Sequence, residues 1–490
     1  MAKVSNRFAF WIAMGRIGSM LVVFFMPLLL TRFLSQSDYG IFSQFFTLYS
    51  TLYVIFGLGL QTSLFYFYPT ASKQEKSAYM SNTMLMLLSM SAVAFLLLNI
   101  PVVKNTLFGN GDLSEYRDYA IICISLAIPM NAVGPSFTVR ENKLGALLIP
   151  GTVALIRVTV IIFTVLFAGS LRSVFQTLVF FQVAVLIFVL FYTMRGEKIT
   201  VNKTLMKAQL AYSLPFGLTV ALQLFSNYFD KIVSIHYLTT VDYAIYSVAF
   251  LSIPGINQIY DSLCQVNIIN MTRCYQEGEP EQIVPLYKDF VIKTLSFSAP
   301  VILIVALFAD EIIAFLYPLS YNGAAIYFRL YTLTFLVAML GAGTILRSVN
   351  KTPMSLKAFL ISCAIGLPLT FLLVSHFGIK GAIAGAIINI MLPRIIQMLF
   401  EMSIMHCTLR QYLPWKAIVR IFMISIVWIL PFGLVKLLPR MNIVVYMLFA
   451  GVYIVFCYSQ MLKYNVFMLS KTQVKSMYET AKERIMRRHE

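Results

Sequence analysis

Five basic residues, Arg16, Arg157, Lys231, Arg329 and Arg394, fall inside long apolar runs of this chain. A charge at the centre of a bilayer costs at least ~2.5 kcal/mol, so such a group faces a cavity or a partner unless it snorkels from near a helix end. Snorkelling fits Arg329 and Lys231. Arg157 lies mid-run, and Arg16 and Arg394 lie in the inner to middle part of theirs, so these three are the candidates for lining a cavity. Carboxylates at depth are the other groups that can do chemistry, by carrying a proton. Thr219, Gln223, Ser226, Asn227 and Asp230 recur at i, i+4, i+7, i+8 and i+11, which is one face of a helix. Lys231 borders that face and can pair with Asp230. Asn257, Asp261 and Gln265 repeat the theme at i, i+4 and i+8. A sparser set is Ser43, Thr47, Ser50 and Gln61. For the serines and threonines, hydrogen bonding between helices is the simpler account. An unpaired carboxylate in lipid has no comparable structural role, so Asp230, Lys231 and Asp261 are candidates for ion coupling. Asp261, with no cation on its own helix face, is the better proton carrier. Gln223, Asn227 and Asn257 join Arg16, Arg157 and Arg394 as candidates along a substrate path.

Nothing in the chain spells out catalysis. The four histidines, 236, 376, 406 and 489, have no HExxH or His-Asp spacing, and the external loops are short. The six cysteines are scattered without CxxC or metal-ligand spacing, so no metal or cofactor is expected. A membrane-embedded polymerase or acyltransferase is therefore the weaker reading.

The elements that must position these groups follow from composition. The chain is 59% hydrophobic and 12% charged, with a mean hydropathy of +0.80. Soluble domains carry about 25% charged residues, so this is a polytopic membrane protein. Runs near the ~20 residues needed to cross a bilayer predict about 14 spans, near 8–32, 41–66, 81–103, 117–138, 145–169, 173–194, 209–235, 242–270, 290–314, 323–348, 356–375, 380–403, 415–436 and 443–463. Uniform runs of this length must be helices. The first run is too long for the core of a signal peptide and should remain as the first span. Lys and Arg fall almost fourfold more often on one side, which places both termini in the cytoplasm. The net charge of +18 reflects these short clusters rather than a nucleic-acid surface. The tail, 470–490, is a basic helical end, placed to meet membrane lipids.

The chain contains one stretch twice. Residues 33–43 read FLSQSDYGIFS and residues 237–247 read YLTTVDYAIYS, so Asp38-Tyr39 aligns with Asp242-Tyr243 at an offset of 204. Arg140 to Lys143 and Arg347 to Lys351 echo each other at an offset of 207. Two matches in order, at nearly one spacing, predict a duplicated unit. The expected division is a lobe of spans 1–6 over residues 1–208 and a lobe of spans 7–12 over 209–408. Two further spans over 409–469 and the tail complete the chain.

Two lobes of six spans, the turn FLSQSDYGIFS after the first span and GIKGAIAGAIIN at 378–389 together resemble the polysaccharide flippase (Wzx-type) branch of the multidrug/oligosaccharidyl-lipid/polysaccharide exporter superfamily. The second copy departs at Ala244, where the first has Gly40. The resemblance implies an all-α, MATE-like fold, two six-helix bundles across a central cavity, alternating access and no enzymatic activity. It also implies a bacterial inner-membrane protein that flips a polyprenyl-diphosphate-linked oligosaccharide, an O-antigen, capsule or exopolysaccharide unit, from the cytoplasmic to the outer leaflet. Coupling to protons or sodium and partnership with a polysaccharide polymerase belong to the same expectation. Arginine suits the diphosphate because its planar fork donates to several oxygens and stays charged. The nearest alternative is a drug or cation antiporter of the same superfamily, whose cavity should be acidic and aromatic.

Overall fold

The computed structural model describes residues 6–467, apart from 70, 110, 252, 254–255 and 434–442. The tail at 470–490 lies outside the described residues. Among the described residues every regular element is helical. The helices that carry the spans are α1 Asn6–Phe33, α2 Gln36–Gly57, α3 Lys73–Leu98, α4 Arg117–Ala127, α5 Lys143–Ala168, α6 Leu171–Met194 and α7 Lys203–Tyr237. They continue with α8 Thr240–Ala249, α9 Ile256–Gln276, α10 Ile283–Leu307, α11 Ala324–Ala338, α12 Thr352–Ile404, α13 Trp415–Gly433 and α14 Ile443–Lys463. Short helical turns extend several of these, so that Asp112–Val139 forms one span around α4.

Nine helices among the described residues are long and apolar enough to cross a membrane, and one of them, Pro353–Ile404, holds two expected spans. The rest of the fourteen fall on the shorter apolar Gly18–Phe33 and Ala324–Ala338 and on the more polar α7, α8 and α9. Two boundaries differ from the sequence expectation. The eighth span, expected as one run over 242–270, is broken between α8 and α9, where Pro254 and Gly255 stand. Proline cannot donate the helical hydrogen bond, and glycine weakens a helix interior. The eleventh and twelfth spans are joined in α12 across a kink at Gly378, whose φ of 55° and ψ of −131° suit glycine. A side chain at Gly381 would strike the Leu373 carbonyl, and Asn389 donates to Thr370 at 3.0 Å. The two arms thus run back against each other as a helical hairpin, with small residues allowing close approach.

Contacts divide the chain into two compact units: residues 1–247 with 373–382, and residues 248–372 with 383–490. The repeat boundary expected at 208/209 falls inside the first unit, because α7 packs on α2 and α3. In that unit α1 lies along α5, and α4 packs against α2, α3 and α6. In the second unit α10 is central, touching α9, α11, α13 and α14 through a core that includes Tyr287, Phe290, Leu295 and Ile302. The extra helices are tied in by hydroxyls: Tyr453 donates to the Ser425 carbonyl and Tyr458 to that of Phe297, at 2.9 and 2.7 Å. Such bonds matter here because lipid offers no alternative partner.

The duplicated stretch is a helix start used twice. Ser35 accepts from the Asp38 amide at 3.1 Å, and Thr239 accepts from the Asp242 amide at 3.1 Å. Each hydroxyl also donates to its own aspartate. Both copies therefore cap a helix with a small hydroxyl and place a carboxylate on its positive end. The capped helices α2 and α8 meet within the first unit. Ser37 and Thr240 share a hydrogen bond of 2.8 Å, and Tyr243 donates to Thr47 at 3.1 Å. Any β-carbon at Gly40 would lie 1.9 Å from the Thr240 carbonyl oxygen. The repeat's one departure thus has a reason: the first copy needs glycine for this approach, and Ala244 does not face the same contact.

Candidate functional site

The first unit holds a cavity of about 550 Å³ bounded by α1, α5, α6 and the turns at 57–67 and 128–138. Its lining includes Ser19, Gln61, Thr62, Asn131, Thr138 and Arg157 among apolar neighbours and, among the described residues, no carboxylate. Arg157 sits midway along α5. Its guanidinium lies 5.1 Å from the centre of the Phe46 ring and hydrogen-bonds to the Tyr49 hydroxyl. Phe46, Tyr49 and Tyr53 recur at i, i+3 and i+7 on α2 and form an aromatic wall beside the cation. Tyr49 is held in turn, donating to Gln182 at 3.1 Å. Among the described residues, Arg157 Nε is buried without a hydrogen-bond partner, and so is Gln61 Oε1 on the same cavity. An unpaired donor and acceptor in a dry site each cost about 1–3 kcal/mol. Gln61 is placed there by a break in α2, where Leu58 adopts a left-handed φ of 44° before the turn Leu60–Thr62. Strained backbone of this kind collects at binding sites. The arrangement can offer an anion a fixed guanidinium and an amide in an otherwise apolar pocket.

The other candidates fall in several places. Arg16 lies on α1 one turn before the cavity residue Ser19, and its side chain is outside the described residues, as is that of Thr219. Asp230 is 2% exposed. It accepts a hydrogen bond from Tyr246 on α8, and the Lys231 charge acts on it. Lys231 itself lies 4.8 Å from the Tyr228 ring centre. Ser226 is buried with Asp230, whereas Gln223 and Asn227 are exposed. At 3.6 residues per turn those two are rotated about 40–80° from Thr219, so the polar stripe splits at the edge of the packed face. Asn257 and Asp261 on α9 are both exposed. In the second unit Arg394 donates through Nη1 to the Ile390 carbonyl one turn back on its own helix, with Tyr260 and Tyr331 within reach of its charge. Arg329 does not simply snorkel: it donates to the Ala306 carbonyl at 2.8 Å and pairs with Asp310 at 2.6 Å.

Two carboxylates escaped the sequence reading. Glu197, in the connection after α6, pairs with Arg140 at 3.0 Å and accepts from Ser77 and Tyr68 at 2.7 and 3.0 Å. Burial pushes its carboxyl up, but the hydrogen bonds from Ser77, Arg140 and Tyr68 outweigh it and hold the group below its usual 4.5. Glu401, near the end of α12, is fully buried and accepts from the Ile345 and Leu346 amides and from Tyr412 at 2.7, 3.2 and 2.5 Å. The signal was present: the two lie 204 residues apart, the same offset as Asp38 and Asp242.

The family model for polysaccharide biosynthesis proteins matches residues 6–266. No curated protein matches the chain. Among solved structures, the lipid II flippase MurJ in an inward closed conformation superposes with a TM-score of 0.68 at 15% identity, covering 93% of this chain and 99% of its own. An inward-facing multidrug resistance MATE family transporter of the MOP superfamily gives 0.60 at 12%, covering 79% and 94%. A MOP superfamily transporter from Pyrococcus furiosus, described as having a binding pocket of reverse polarity, gives 0.51 at 12%, covering 82% and 95%. The match over more than half of the sequence, on a fold shared with the MOP superfamily, makes this chain a multi-pass membrane member of the polysaccharide biosynthesis protein family.

Proposed function

We propose that this chain flips a polyprenyl-diphosphate-linked oligosaccharide across the bacterial inner membrane by alternating access, with both termini in the cytoplasm. The observation that carries the reading is Arg157, a mid-membrane cation with one donor unspent among the described residues, on a cavity whose described lining holds no carboxylate. A diphosphate supplies the acceptors that guanidinium lacks, and an apolar surround strengthens the contact. The polyprenyl tail can stay in lipid while the charged and sugar portions pass. Arg16, a turn away from Ser19, is a second cation for the same path; Arg394 already donates to the Ile390 carbonyl of its own helix and contributes less. A cationic lining speaks against the drug-antiporter alternative, which needs acidic groups to hold a cation.

For coupling, Asp261 is the proposed proton carrier, since it is exposed on α9. Asp230 is committed to Tyr246 and to the Lys231 charge. A proton drives the cycle only if it binds the two arrangements with different affinity. The test of the main reading is glycan export in cells carrying Arg157→Ala or Arg157→Lys, with membrane levels matched. Loss with alanine and part recovery with lysine supports it, since lysine keeps the charge and loses the fork. Full export by the alanine variant overturns it.

A further inference from the structure

A second cavity, of about 750 Å³, lies on the two extra helices, well away in sequence from the Arg157 site. Trp415, Lys416, Val419, Arg420, Met423, Val427 and Trp428 of α13 line it, with Gln460 of α14 and Tyr464 just after it. Its polarity is graded along α13. Lys416 and Arg420, at i and i+4, form a basic end, and both are exposed. Arg420 stacks near the Tyr464 ring at 5.9 Å and donates to the Tyr464 carbonyl. Trp415 is fixed there by its indole, which donates to the Leu409 carbonyl at 3.0 Å. Beyond this end, Val419, Met423 and Val427 are each more than half exposed, and Trp428 stands edge-on to Phe456 at 4.2 Å. Tryptophan and tyrosine beside basic residues mark the headgroup level, and the apolar length below them faces acyl chains. Among the described residues, no carboxylate lines the cavity.

We infer that this groove is a binding site for an anionic glycerophospholipid, with the phosphate held by Lys416 and Arg420 and one acyl chain lying along Val419, Met423 and Val427. The length fits. From Lys416 to Trp428 α13 rises about 18 Å, close to the half-thickness of a bilayer's hydrocarbon core. That is the depth of one leaflet, which suits a diacyl lipid better than a long polyprenyl tail. Basic pockets between helices at the membrane surface select anionic headgroups, and two basic residues imply an anionic-over-zwitterionic preference of about 30-fold. The site does not depend on the cargo proposed above.

The groove contains two of the chain's three tryptophans, Trp415 and Trp428, which provides a direct readout. The full-length Trp11→Phe protein would be reconstituted in phosphatidylcholine, and tryptophan emission followed as dibrominated phosphatidylglycerol or dibrominated phosphatidylcholine is titrated in. The expected result is half-maximal quenching at about 30-fold less phosphatidylglycerol. In Lys416→Gln/Arg420→Gln the two lipids should quench alike, with an unchanged emission maximum and melting midpoint. Lys416→Arg/Arg420→Lys should keep the preference. Equal quenching by both lipids in the parent, or a preference that survives the double glutamine variant, overturns the site. So does displacement of brominated phosphatidylglycerol by an equimolar polyprenyl phosphate, which would assign the groove to the cargo tail.

Discussion

Arg157 and Arg394 are both arginines well inside long membrane helices, and the sequence presents them alike. Their surroundings are different. Arg157 lies against the Phe46 ring and the Tyr49 hydroxyl, on a cavity, with Nε unpartnered. Arg394 turns back to the Ile390 carbonyl of its own helix. The difference is one of availability. Local back-bonding satisfies part of a guanidinium in place, whereas an aromatic wall orients it and leaves donors for something else. The two carboxylates, Glu197 partly buried and Glu401 fully buried, repeat this contrast in another form. Glu197 meets a cation and two hydroxyls, while Glu401 meets backbone amides and one phenol. Glu197 is thus held by side chains that can rearrange, and Glu401 is tied largely to backbone.

The largest expected effect is at Arg157. Replacement by alanine removes charge-assisted bonds of about 2–3 kcal/mol to a bound diphosphate, which is a loss of about 30- to 150-fold in cargo affinity. Arg394→Ala should cost less than about threefold, because its carbonyl contact is made without cargo. Equal losses at the two arginines would break the comparison.

Next comes Glu401. Glu401→Ala leaves the Ile345 and Leu346 amides and the Tyr412 hydroxyl without their acceptor, at about 1–3 kcal/mol for each buried group left unpaired. The thermal midpoint in detergent should fall by several degrees, more than for Glu197→Ala, whose partners can turn toward water. A larger fall for Glu197→Ala would reverse the contrast between the two carboxylates.

The smallest effect is a pH dependence. The folded pKa of Glu197 is depressed below 4.5, so its contribution to stability is complete above that value and is lost as pH falls through the lower, folded one. Melting midpoints of the parent chain and of Glu197→Gln should therefore differ near pH 6 and converge in acid. A difference that grows on acidification would contradict the Arg140 pairing.

Much of the fold was legible. Apolar runs of membrane-spanning length can form little but helices, so the expected spans fall on helices among the described residues, apart from the break in the eighth. The repeated Asp-Tyr stretch was visible because helix capping demands particular residues at particular spacing. Its role was not, since the contact of Gly40 with Thr240 joins residues 200 positions apart. The break of the eighth span was written in Pro254-Gly255 and obscured by the hydrophobicity around it. At the site, the cation was legible because charge in lipid is conspicuous. The Phe46, Tyr49 and Tyr53 wall was not, because aromatic stripes in a membrane helix look the same whether they face lipid, core or guanidinium. Glu197 and Glu401 lay close to span ends, where an acid raises no question until its partners are seen.

The account rests on Arg157 holding an anionic cargo, and equilibrium binding tests that without the rest of the transport cycle. Purified parent, Arg157→Ala, Arg157→Lys and Arg394→Ala proteins would be titrated with a polyprenyl-diphosphate-linked oligosaccharide, with inorganic diphosphate as competitor. The prediction is a loss of about 30-fold or more for Arg157→Ala, partial recovery for Arg157→Lys, and near-parental binding for Arg394→Ala, with diphosphate competing in the parent. Undiminished binding by a folded Arg157→Ala protein, or a larger loss in Arg394→Ala, would contradict it.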